Sequence, residues 1–328
     1  MQRRCPASRI TGPARMSSAS RPARSAHPMD TAGCGSVSDS VRGYPLRAFV
    51  ICLIAYTTAQ MDLALFGYAV PAIRAEFGLT LSEVMAIVSS AFLLGGALLV
   101  VLGWLADRMG RLPLFQFSLL GSSFLVALIS IASGVATLTA LRGASIAVGG
   151  LSYPITGAII TEEMPARLRG LFMGLLQIGY PLGWALASLW SMWLLTEYGW
   201  RQLFWVGLVS LPMVWVVRRY LREPPRSAVA RSTESPPRFS DLFATGVRER
   251  AITLFIAQFL FVWAYAASIF LFPSFLREVR ALDAFNFSLL IGAGNAIGVL
   301  GYVFAAWIGE RVWTRRNTVV LWTLLGAL

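Results

Sequence analysis

The side chains with chemical potential in this sequence are few, and they sit in apolar company. Asp62 lies inside Gln60-Met61-Asp62-Leu63-Ala64-Leu65-Phe66-Gly67-Tyr68-Ala69-Val70-Pro71. A carboxylate so placed can take up a proton on one side of a barrier and release it on the other; the alternative is that it pairs with an internal arginine or a backbone donor. Arg142 follows the apolar stretch Leu138–Leu141. Its planar fork could hold Asp62 or clamp a substrate carboxylate bidentately, or its stem could lie along apolar neighbours while the head reaches the surface. Gln116, Gln177, Gln258 and Asn295 are amides in other apolar runs, each able to line a cavity or to bond a neighbouring helix. Gln177, Asn295 and Tyr68 are the preferred substrate contacts. Trp184, Trp190, Trp193, Trp263 and Tyr265 could stack on a ring or serve as interfacial and packing residues. His27 is the one histidine, and Cys5, Cys34 and Cys52 have no metal-ligand spacing. With no nucleophile–base pair, metal cluster or phosphate loop, neither an enzyme nor a cofactor is expected.

The elements that must position these residues follow from composition. The chain has 328 residues, 56% hydrophobic and 13% charged, with a mean hydropathy of +0.65, which is too apolar for an ordinary soluble domain. A membrane-spanning helix needs about 20 apolar residues, because lipid offers no partner for backbone N–H and C=O groups. Stretches of that kind fall near 46–70, 82–106, 113–133, 137–161, 170–195, 201–221, 251–276 and 286–309, and a ninth starts around 317. The reading is an all-α membrane protein of about eight spans and the start of a ninth. The net charge of +12 is not a nucleic-acid footprint, since the arginines fall in the tail and in alternate connections. Arg108 and Arg111, Arg167 and Arg169, and the cluster from Arg218 to Arg250 occupy the even connections. By the positive-inside rule the N-terminus and those loops face the cytoplasm, across a plasma membrane.

Residues 1–45 are rich in Ser, Ala, Arg, Pro and Gly and lack apolar periodicity, so a disordered basic tail is expected; Met1, Met16 and Met29 are all possible starts. Residues 46–221 read as a six-helix block and 222–250, with Pro224, Pro225, Pro236 and Pro237, as a cytoplasmic linker. Residues 251–328 then begin a second block. An internal repeat supports the division: Asp107/Arg108 closes the second span and Glu310/Arg311 closes the eighth, each followed by further arginine.

Four further motifs, with the stretch around Asp62, carry a resemblance. Gly103-x-x-x-Asp107-Arg108-x-Gly110-Arg111 is similar to the loop signature of the major facilitator superfamily between its second and third helices. Glu163-x-Pro165-x-x-x-Arg169-Gly170, Gly199-Trp200-Arg201 and Arg222-Glu223-Pro224-Pro225 resemble its sugar-porter and metabolite-symporter branches. The stretch around Asp62 looks like the first helix of the aromatic-acid:proton symporters, although the second acid those carriers have one position class earlier is replaced at Ala59. The resemblance implies a major facilitator fold with a complete N-terminal bundle of six helices and a partial C-terminal one, the twelve-span pattern being cut short. It implies a monomeric secondary transporter that takes up a small organic anion with protons by alternating access. Asp62 and Arg142 would couple protons, and Arg142, Gln177, Asn295 and Tyr68 would contact substrate. Gly103, Asp107, Arg108, Gly110, Arg111, Glu163 and Arg169 would form the gating loops. A sugar porter, a multidrug exporter and a non-transporting fragment are the alternatives.

Overall fold

The computed structural model describes residues 43–223, 248–249, 252–257, 259–260 and 272–327, without side-chain detail at 106–108, 310, 315 and 326–327. The expected tail, most of the expected linker, Gln258, Trp263 and Tyr265 lie outside the described residues, as do the side chains of Asp107, Arg108 and Glu310. Among the described residues there is no strand, and seven helices are long and apolar enough to cross a membrane.

The first span, α1 (Tyr44–Phe77), is 34 residues long, about 50 Å at 1.5 Å per residue, so its ends extend beyond a hydrocarbon core of about 30 Å. Pro45 sits in its first turn, where a missing N–H costs nothing. Gly78 ends it in the left-handed conformation (φ 62°), its N–H bonding the Arg74 carbonyl. The second and third spans are α2 (Leu81–Met109) and α3 (Arg111–Ile129). A single residue joins them. Gly110 has φ 101°, a backbone conformation that side chains oppose, so the glycine of the loop motif makes this abrupt reversal possible.

The next three spans are interrupted, and proline explains where. Span four is α4 (Val135–Gly150) plus α5 (Ser152–Glu163), span five is α6 (Arg169–Leu176) plus α7 (Gly179–Glu197), and span six is α8 (Trp200–Leu203), a 3₁₀ segment (Phe204–Ser210) and α9 (Leu211–Tyr220). Proline has no N–H to give the carbonyl four residues back. Pro154, Pro181 and Pro212 therefore release the carbonyls of Gly150, Gln177 and Leu208, at the three interruptions. The Gln177 carbonyl accepts the Tyr180 N–H instead (3.0 Å), and Leu208 accepts from Leu211. Beside the break in span four, Ser118 Oγ donates to the Val148 carbonyl at 2.6 Å, supplying a donor that lipid cannot.

Beyond the sixth span come α10 (Phe272–Glu278), α11 (Ala284–Arg311) and α12 (Arg315–Ala327). Helix α1 is central, packed by α7, α5, α3 and the 3₁₀ segment, while α11 runs along α7 and α6. Gly183 lets α7 reach α1: a Cβ there would lie 2.7 Å from the Met61 nitrogen and the Thr57 carbonyl. The bundle has a near end, where α1 begins, and a far end, where α1 finishes.

Candidate functional site

Near the middle of α1, Asp62 is buried, 3% exposed. The Ser210 hydroxyl, from the 3₁₀ segment of span six, donates to its two oxygens at 3.4 and 3.3 Å. Proline-driven loosening of span six thus presents a hydroxyl to the carboxylate. Arg142, 2% exposed, does not reach the surface. Its Nη2 donates to the Leu63 carbonyl (2.9 Å) and its guanidinium lies 4.5 Å from the centre of the Phe66 ring. It therefore clasps the turn of α1 that carries Asp62 and interacts with that carboxylate electrostatically. Among the described residues, no cation comes within 4.0 Å of Asp62. The carboxylate therefore meets a hydroxyl from span six and the field of a buried guanidinium held on its own helix.

A second constellation lies closer to the near end, where spans one, four and five meet. Tyr56 donates its hydroxyl to Gln177 Oε1 (3.3 Å), and Gln177 Nε2 donates to the Tyr153 hydroxyl (3.2 Å). The two tyrosine rings stand 5.6 Å apart with planes tilted by 40°. Tyr153 and Gln177 both flank the breaks beside Pro154 and Pro181. Tyr56 and Tyr153 are absent from the sequence-derived candidates. The available signal was the Tyr-Pro pair repeated at Tyr153-Pro154 and Tyr180-Pro181.

The other expected substrate contacts sit apart. Tyr68 is fully buried and donates to the Trp184 carbonyl (3.2 Å), and Asn295 Nδ2 bonds the Ile291 carbonyl of its own helix (2.9 Å). The structure does not bring them to Gln177.

The motifs at Gly103–Arg111, Glu163–Gly170 and Arg222–Glu223 lie at the near end, whereas Gly199-Trp200-Arg201 lies at the far end against Glu76. Glu223, from the Arg222-Glu223-Pro224-Pro225 motif, accepts the backbone N–H groups of Arg111 (2.9 Å) and Leu112 (3.0 Å). A carboxylate there satisfies two orphan donors and complements the helix dipole, so the observed cap of α3 comes from a residue far along the chain. Arg111 pairs with Glu162. Glu163 lies within electrostatic reach of Arg222, and Arg169 Nε bonds the Met164 carbonyl (3.1 Å). Gly103 has open space on its Cβ side.

A family model, the Major Facilitator Superfamily, matches residues 52–328. The chain belongs to that superfamily. It is 26% identical over 287 residues to the cis,cis-muconate transport protein of Acinetobacter baylyi, covering 82% of this chain and 67% of the relative. It is 24% identical over 326 residues to the gallate transporter of Pseudomonas putida, covering 88% of this chain and 72% of the relative. Among solved structures, a bacterial homolog of the human lysosomal transporter Spinster, in an inward-facing and unoccupied conformation, superposes with a TM-score of 0.61 at 18% identity, over 84% of this chain and 64% of that one. This member of the superfamily thus spans about two thirds of the length of such relatives.

Proposed function

We propose that this chain forms the body of a proton-coupled carrier that takes up a planar unsaturated or aromatic carboxylate by alternating access, with its near end in the cytoplasm. The observation that carries the proposal is the buried Asp62 carboxylate, held by the Ser210 hydroxyl beside a clasped arginine. Such a group can be loaded with a proton from one side and unloaded to the other as access alternates. Arg142 contributes the positive charge that compensates Asp62 when the proton is away, while its hydrogen bond to Leu63 keeps it from quenching the acid as a direct ion pair.

The substrate reading rests on the tyrosine–glutamine constellation. Two tilted rings suit a flat conjugated body, and the amide and hydroxyl donors suit a carboxylate. Muconate and gallate, the compounds in the relatives' names, share that chemistry: a carboxylate on a planar unsaturated frame. The arginine-rich even connections support a near end that faces the cytoplasm.

The test is uptake into proteoliposomes driven by an inward proton gradient, with labelled dienoic and aromatic carboxylates set against a hexose and a cationic dye. Accumulation of the carboxylates alone is expected, with Gln177→Leu weakening apparent affinity about tenfold, near 1.4 kcal/mol. Gradient-driven hexose uptake, dye extrusion, or indifference to Gln177→Leu would overturn the reading.

A further inference from the structure

Span six carries a surface that neither the proton site nor the substrate site uses. One side of the span is buried: Ser210 meets Asp62 of α1, Gly207 packs on Val126 of α3, and Met213 and Val217 continue that side into α9. The other side is bare. Trp205, Val209 and Trp215 are 55%, 51% and 62% exposed, and Pro212 between them is exposed as well. Steps of three and four residues set these side chains in one stripe along the helix.

The stripe runs into positive charge at the near end. Arg218 and Arg219 are exposed and follow Trp215 by three and four residues, so they stay on its side of the helix. The Arg219 guanidinium lies 5.7 Å from the centre of the Tyr220 ring, and that ring stands edge-on to Trp215 at 6.1 Å, with planes at 88°. Among the described residues, neither arginine has an ion pair or a side-chain hydrogen bond. Nearby acids are engaged elsewhere: Glu162 pairs with Arg111, and Glu223 caps α3. The chain that follows is a poor counter-ion, because residues 224–247 carry Arg226, Arg231 and Arg238 against Glu234 and Asp241.

Depth identifies what the charges meet. Span six runs 21 residues, from Trp200 to Tyr220, about 30 Å at 1.5 Å per residue, which matches the hydrocarbon core. Its last turn therefore lies at the level of lipid phosphates. Membrane topology alone asks for positive charge at this end, but not for two guanidiniums left without an acid beside a bare aromatic pair.

We infer that the near end of span six binds one anionic phospholipid: Arg218 and Arg219 hold its phosphate diester, the Trp215–Tyr220 pair meets the glycerol level, and an acyl chain lies along Trp205, Val209 and Pro212. A guanidinium fork matches two phosphate oxygens, and amphipathic rings settle at the interface. Phosphatidylcholine carries the same diester, but its own ammonium competes for it, so the site selects a headgroup of net negative charge. The inference needs neither the proposed substrate nor proton coupling.

The test is native mass spectrometry of the full chain, delipidated in detergent and titrated with dioleoyl phosphatidylglycerol or dioleoyl phosphatidylcholine. The first phosphatidylglycerol adduct should form at lower concentration than the phosphatidylcholine adduct. Arg218→Gln and Arg219→Gln should each weaken it about fivefold and leave the phosphatidylcholine adduct unchanged, which also shows that the variants are folded. Arg277→Gln/Arg280→Gln removes two exposed charges at the far end and should leave the adduct in place. Excess glycerol phosphate should not displace it, because that ion has no acyl chain. Equal binding of the two lipids, indifference to Arg218→Gln and Arg219→Gln, or equal weakening by the far-end pair overturns the site. Displacement by glycerol phosphate overturns the lipid as its occupant, and so does a protein dimer that forms in place of the adduct.

Discussion

The two ends of this helical bundle are tied in different ways. At the near end the bonds tie the six-span block and the residue just after it: Glu223 caps α3, Arg111 pairs with Glu162, and Arg169 holds the Met164 carbonyl. At the far end an ion pair runs from α1 to α10, near buried serine hydroxyls that have no hydrogen-bond partner among the described residues. The near-end bonds satisfy groups that would be orphaned in any conformation, such as the first N–H groups of a helix. The far-end pair satisfies charges that water would also satisfy. Bonds of the first kind should weigh more on stability than bonds of the second kind.

That contrast can be broken by substitution. Arg111→Met removes the pair to Glu162, whose side chain is only 6% exposed; the expected loss is about 1–3 kcal/mol, read as a lower midpoint of thermal unfolding in detergent. Glu223→Ala uncaps α3 and should cost about 1 kcal/mol, seen as a smaller shift in the same assay. Arg201→Gln loosens the partly exposed Glu76–Arg201 pair and should cost at most about 1 kcal/mol. An Arg201→Gln variant that lowered the midpoint more than Arg111→Met would remove the distinction.

Much of the architecture was legible in the sequence because lipid imposes strict demands. The expected runs at 82–106 and 286–309 correspond to α2 and α11 within a few residues, since a spanning helix must be apolar and long. Hydropathy says little about neighbours, however. Helices α1 and α11 have nearly the same mean hydropathy, 1.7 and 1.8, yet 67% of the spanning window of α1 is buried against 11% for α11. Packing in a membrane depends on small residues and polar pairs rather than on apolarity, so which face meets which helix is not written in the hydropathy profile. The site divides in the same way. Asp62 and Arg142 stood out because charge in an apolar run is conspicuous. Ser210, Tyr56 and Tyr153 did not, because a serine or tyrosine in a span is ordinary until a neighbouring helix brings a partner. The capping of α3 by Glu223 was equally hidden, since more than a hundred residues separate donor from acceptor.

The central claim is that Asp62 carries the coupled proton, and it is tested most directly by comparing two modes of transport in Asp62→Asn. Proteoliposomes are loaded with unlabelled carboxylate to follow exchange at equal pH, and separately given an inward proton gradient to follow net accumulation. The account predicts that Asp62→Asn retains exchange and loses accumulation, because asparagine preserves the size and the Ser210 contact but cannot carry a proton. Gradient-driven accumulation at the unsubstituted rate in Asp62→Asn would contradict it.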